Sequence, residues 1–206
     1  MGATTLSTPR NGAARARVVA TFYGALLLAG FFWHAVAQGS NDVWRLDPNQ
    51  GGWVLLATLG GGVALGLAVV QVFRWLQGRM AWLSELHHEF RSIFGRPSTA
   101  ELVLLAAASA LGEEVLFRGA MLDAWGLWVS SFVFAALHIP PQRRLWPWTA
   151  SSLVIGLLLG ALTLMTGNLG AAVAAHFVIN LQNLAYITRN RPPLQLRGPV
   201  RPAPPA

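Results

Sequence analysis

The chain has 206 residues, of which 54% are apolar and 11% charged. Ordinary soluble domains carry about 25% charged residues, so this set is too sparse to cover a water-facing surface. The 15 basic residues, all Arg, against eight acids give a net charge of +7, but they lie between apolar runs, not interleaved with aromatics on one face, which excludes a nucleic-acid surface; the lack of Cys excludes disulfides, thiolate metal sites and cysteine nucleophiles.

Residues 1–17 are polar and carry Arg10, Arg15 and Arg17 ahead of an apolar run. The run Val18–Ala37 is too long for a signal-peptide core and predicts a first membrane span. A second span is expected over Trp53–Phe73, where Gly60–Gly62 and Gly66 let helices approach closely. In Arg74–Pro97, Trp and Leu residues interleave with Arg79, Glu85, His87, His88, Glu89 and Arg91. That pattern predicts an amphipathic helix lying in the membrane interface, with His87 and His88 on its solvated face. Ser98-Thr99-Ala100-Glu101 has the form of a capping box and opens the next helix.

A third span is expected over Thr99–Met121 and a fourth over Leu127–Ile139, ended by Pro140-Pro141. Trp146–Trp148 suits the headgroup level, a fifth span follows over Thr149–Met165, and Gly167-Asn168 turns into a sixth, Leu169–Ile187. The Pro- and Arg-rich residues 189–206 have the composition of a disordered tail. The expected fold is thus an all-α polytopic bundle of about six spans with one interfacial helix. It divides into residues 1–17, two spans and the interfacial helix over 18–98, a four-span core over 99–188, and the tail. With both termini in the cytoplasm, thirteen Arg fall on the inner side, Arg45 alone with Asp42, Asp47 and Asp123 on the outer side, and Arg118 within the membrane. This agrees with the positive-inside rule and predicts a multi-pass inner-membrane protein.

Glu113, Glu114 and Arg118 fall inside the third span, where each ionisable group costs about 2.5–3.5 kcal/mol even on the mildest scale. Glu114 and Arg118 stand i and i+4, on one helix face, and can neutralise each other. Glu113 points about 100° away and has no local partner, which suits a general base or acid. The plainer alternative for all three is an ion network that holds helices together. His138 follows Phe134 at i+4, and Asn180 follows His176 at i+4. Depths counted at about 1.5 Å per residue allow these polar stations to converge on one buried site. His34 has no charged neighbour at helical spacing and reads as a packing or interfacial residue.

Glu113-Glu114-Val115-Leu116-Phe117-Arg118 matches the EExxxR motif of the CPBP (CAAX protease and bacteriocin-processing) intramembrane proteases, also called the abortive-infection family. Phe134–His138 matches its FxxxH motif and His176–Asn180 its HxxxN motif, in the same order. The resemblance covers residues 101–184. It implies hydrolysis of a peptide bond inside the membrane, with Glu113 activating a water, His138 helping to hold it, His176 and Asn180 polarising the carbonyl, and Glu114, Arg118 and Phe134 in support. It further implies a glutamic protease without cofactor; the alternative is a zinc enzyme with Glu113, His138 and His176 as ligands. The expected partners are the bilayer and a membrane-protein or lipoprotein-like peptide substrate. Richness in Ala, Gly and Arg without Lys points to a GC-rich bacterial genome, where C-terminal processing or sorting is a better expectation than prenylated substrates. Two other classes use the same buried groups: a transporter or proton conductor, against which the chain shows no internal repeat, and a non-catalytic membrane scaffold.

Overall fold

The computed structural model describes residues 9–46 and 51–191, with side chains from residue 14 onward. The expectations for the first eight residues, for Asp47 and for the tail beyond Arg191 fall outside these. The described chain is all-α. In order it forms α1 (Pro9–Gln38), α2 (Gly52–Leu76), α3 (Ala81–Phe94), α4 (Thr99–Glu114), a π-helical segment (Val115–Met121), α5 (Leu122–Ala136), a 3₁₀ turn (Arg143–Leu145), α6 (Trp146–Thr166) and α7 (Gly170–Arg189).

Three helical stretches, Ala14–Gln38, Gly52–Leu76 and Arg143–Thr166, are long and apolar enough to cross a membrane. Large apolar side chains, among them Phe22, Phe32, Leu56, Val72, Val154 and Leu164, face outward along them, as a lipid-facing surface requires. The other expected spans are built differently. Helices α4 and α5 have 16 and 15 residues and are joined through the π segment without a loop. The chain breaks instead at Gly126, whose φ of 78° and ψ of 175° are open to a residue without Cβ. Helix α7 is 20 residues long, but His176, Asn180, Gln182 and Asn183 make it too polar to count with the three. Of these, α7 falls short through its polar side chains, whereas α4 and α5 fall short in length.

Small residues set how closely these helices approach. A Cβ at Gly62 or Gly66 of α2 would collide with the backbone oxygens of Ala171 and Ala175 on α7. One at Gly30 of α1 would meet the backbone at Leu116, and one at Gly112 of α4 that of Tyr23. Gly60 and Gly61, expected to share this role, have nothing near them. The capping box opens α4 as its sequence predicts: Glu101 N–H donates to Ser98 Oγ at 3.2 Å, and Ser98 N–H to Glu101 Oε2 at 2.7 Å.

The two ends of the bundle differ. At one end Arg15 pairs with Glu101 at 3.0 Å, and Arg144 pairs with Glu85 and Glu89 of α3 at 3.3 and 2.7 Å. Arg91 donates to the carbonyls of Ile187 and Thr188, capping α7. At the other end Arg45 pairs with Asp123 at 2.8 Å. The described residues assigned to opposite membrane faces thus gather at opposite ends.

Helix α3 departs from expectation. His88 is exposed, but His87 is fully buried because α3 lies against α7 as well as the interface. Its Nε2–H donates to the Asn190 carbonyl at 3.1 Å, while Nδ1 accepts from the Gln77 amide at 3.2 Å. Burial holds this imidazole below its ordinary value, with the positive Arg91 and Arg74 acting in the same direction and the bond to Asn190 opposing them. Above the ordinary value of 6.5 the ring is neutral whether docked or free, so docking is independent of pH. As pH falls below that value the free ring takes up a proton first, and docking weakens until the folded group titrates too. The protection of the α3 amides, taken relative to the intrinsic exchange rate at each pH, should accordingly fall between pH 7.5 and 5.5 in the native chain and stay level in a His87→Gln variant.

Candidate functional site

Helix α4 delivers Glu113 and Glu114 to the interior at its last turn, where both are buried. The i,i+4 pair forms as spaced: Arg118 Nη1 donates to Glu114 Oε1 at 2.9 Å, and both side chains are almost completely enclosed. Arg118 Nη2 reaches the Gly156 carbonyl of α6 at 3.1 Å, and its guanidinium carbon lies 4.5 Å from the centre of the Phe134 ring. One guanidinium thus ties the π segment, α5 and α6 around one carboxylate.

His176 enters from α7 between the two carboxylates. Its Nδ1–H donates to Glu114 Oε1 at 2.6 Å, a charge-assisted contact. Its Nε2 faces Glu113 Oε2 at 3.7 Å, beyond hydrogen-bond range. That oxygen of Glu113 is buried and has no hydrogen-bond partner. Glu114 Oε2 is likewise buried without a partner, so what sets Glu113 apart is that it lines the cavity and faces His176 Nε2, whereas Glu114 is held by Arg118 and His176 outside the lining.

His138 lies just beyond the end of α5. Its Nδ1–H donates to the Phe134 carbonyl at 2.7 Å, so the neutral ring keeps its lone pair on Nε2. The ring lies tilted against Phe134 with centres 4.5 Å apart and meets Trp148 edge-on at 5.6 Å, while Phe134 in turn meets His176 edge-on at 6.3 Å. Asn180 stands one turn along α7 from His176, and its Nδ2–H donates to Ser109 Oγ at 2.8 Å. Glu113, His138, His176 and Asn180 all line one cavity of about 470 Å³, of the size small-ligand sites have. Helix α3 forms one wall of it through Leu83, Leu86, Phe90 and Phe94.

Among the described residues no three of His, Asp and Glu are placed to hold one ion. Glu113 and His176 face each other and His138 shares their cavity; the bond from His176 Nδ1–H to Glu114 leaves Nε2, on the Glu113 side, as the open nitrogen.

Two side chains beside the site were not singled out from sequence. Ser109, buried and facing Asn180, precedes Glu113 by one helical turn, so its spacing was available as a signal. Tyr23 of α1 lies beside Glu113, and no local pattern announces a contact across 90 residues.

The fold and site together define a membrane-embedded helical protein whose buried Glu, His and Arg groups form one hydrogen-bonded network. Residues 95–182 match the family model described as type II CAAX prenyl endopeptidase Rce1-like. An uncharacterized Bacillus subtilis protein, YpbD, is 39% identical over 158 residues, covering 76% of this chain and 79% of the relative. No solved structure matches the chain. The chain belongs to the Rce1-like CAAX protease (CPBP/Abi-like) family. Its membrane-crossing helices and its bacterial relative support a bacterial membrane location.

Proposed function

We propose that this protein is an intramembrane glutamic endopeptidase that hydrolyses a peptide bond near the C-terminal segment of a membrane-associated protein. The observation that carries this reading is the uncommitted Glu113 Oε2, buried and 3.7 Å from His176 Nε2 in the shared cavity. A carboxylate oxygen with no partner is free to accept a proton from water, and it stands where Nε2 of His176 and the cavity-lining Asn180 amide can meet the same substrate carbonyl.

In this mechanism Glu113 takes the proton as the water oxygen attacks the scissile carbon. Two carboxylates and one guanidinium leave a single negative charge in the cluster, which His176 cancels when both its nitrogens are protonated. Nε2–H and an Asn180 N–H then donate to the oxyanion of the tetrahedral intermediate. His138 Nε2 accepts a hydrogen bond from the attacking water and orients it. Glu113 returns the proton to the leaving amine as the C–N bond breaks. Glu114 and Arg118 hold the His176 ring in place. Around this site we propose six membrane passages, with α4 through α5 and α7 completing the three apolar helices, and the Arg-rich end facing the cytoplasm of an inner membrane.

Purified protein in lipid vesicles provides the test. Two internally quenched peptides serve as probes, a farnesylated CAAX peptide and an unprenylated transmembrane peptide with a C-terminal tail. The proposal expects cleavage of the unprenylated peptide with chelator present. Cleavage confined to the farnesylated peptide would overturn the sorting or processing assignment but leave the protease intact. Activity lost to chelator and restored by zinc would replace the metal-free mechanism. Cleavage of neither peptide, with no new C-terminus on any host membrane protein after expression, would remove the protease reading.

A further inference from the structure

Beyond the hydrolytic groups, the opposite end of the bundle holds a polar cluster built around the π-helical segment. The segment Val115–Met121 follows Glu114 directly and contains Arg118, with Leu122 N–H bonding back five residues to the Phe117 carbonyl. Such wide turns are rare and less favourable than α-helix, and concentrate at functional sites. Relaxing this one to α geometry would shift the register by one residue and rotate the side chains beyond it by about 100°. Something must hold it.

Three side chains meet it. Arg45 Nη2 donates to the Arg118 carbonyl at 2.8 Å. His34 Nδ1–H donates to the next carbonyl, Gly119, at 2.7 Å. Asp123, just past the segment, pairs with the same Arg45 nitrogen at 2.8 Å and lies 3.9 Å from His34 Nδ1. Arg45 is the one non-glycine residue among those described with a positive φ, 54°, a backbone state that persists only when its surroundings enforce it. Val43 is buried against Val115 and Leu169, and it fills the space that a Cβ on Gly119 would need. Leu169 N–H donates to the Trp44 carbonyl at 3.2 Å, tying the same loop to the start of α7, which carries His176.

We propose that His34, Arg45 and Asp123 form a clasp that holds the π segment and thereby positions Glu114, Arg118 and His176; as a statement about catalysis it rests on the protease reading above. These are positioning residues, remote from the cavity and acting through the backbone of residues 118 and 119. Neither His34 nor Arg45 belongs to the EExxxR, FxxxH and HxxxN motifs, and His34, which reads from sequence as a packing residue, acquires a specific partner here.

The test uses full-length protein in vesicles, comparing wild type with Arg45→Gln, Asp123→Asn and Arg45→Lys. In Arg45→Gln and Asp123→Asn, amides 116–122 should exchange at least tenfold faster while those of α2 keep their rates. The ¹⁵N signal of His176 Nδ1 should move as its bond to Glu114 loosens. On whichever probe peptide wild type cleaves, kcat should fall at least tenfold with KM within twofold, and Arg45→Lys should recover part of the loss. Unchanged exchange in both variants overturns the clasp. Faster exchange with unchanged kcat overturns its positioning role. If wild type cleaves neither peptide the hydrolytic reading fails separately, and the His176 signal then decides: a shift upholds the clasp, and no shift overturns it.

Discussion

Glu113→Gln should lower kcat by about a thousandfold, within the range that removal of a general base produces, while leaving the protein as stable as wild type or slightly more so. Both halves follow from one contact pattern. The Glu113 oxygen that faces His176 is buried without a hydrogen-bond partner, so the native fold carries a polar group it does not satisfy. Glutamine keeps the shape and removes the charge, which costs the structure nothing and deprives the water of its proton acceptor. Single-turnover cleavage in vesicles together with thermal unfolding of the same preparation reads both. A variant that loses activity and stability in parallel would identify Glu113 as a structural member of the ion network instead.

Arg118→Met should have the largest effect on stability. Its guanidinium and the Glu114 carboxylate lie 2.9 Å apart with almost no exposure. Removing one partner of a buried pair leaves the other charge uncompensated, at about 3–5 kcal/mol. The same change also removes the bond to the Gly156 carbonyl and the contact over Phe134. The double variant Glu114→Gln/Arg118→Met should lose less than the sum of the two single changes, because no unpaired charge remains. Unfolding titrations in mixed micelles measure all three. Additive losses would show that the two groups do not act as a pair, and that the i,i+4 contact contributes little.

Much of this arrangement was legible from residue spacing. Glu114 and Arg118, Phe134 and His138, and His176 and Asn180 each stand four apart. Each pair indeed shares a face, in the first two cases with a direct hydrogen bond. Gly62 and Gly66 were recognisable as close-approach points for the same reason, one turn apart on an apolar helix.

What escaped the sequence depends on partners distant in the chain. The π segment adds one residue to a turn without any compositional mark, and its stabilising groups, His34 and Arg45, come from the first helix and the loop after it. His87 looked solvated because its own helix is amphipathic; its burial comes from α7, some 100 residues later. The division into spans was clear where the helices are apolar throughout and less so for α4, α5 and α7. Helix α7 directs polar groups inward, which lowers the very signal by which a span is recognised, and α4 and α5 are short pieces divided by the π segment.

The central claim, that Glu113 activates water instead of attacking the peptide itself, can be read from where oxygen goes. A single turnover of a cleaved probe peptide in H₂¹⁸O, with enzyme in excess and chelator present, should put one ¹⁸O into the new carboxylate of the product and none into Glu113, as a general-base mechanism requires. Label recovered in the Glu113 side chain would mean that its carboxylate had formed an anhydride with the substrate, and would contradict the account.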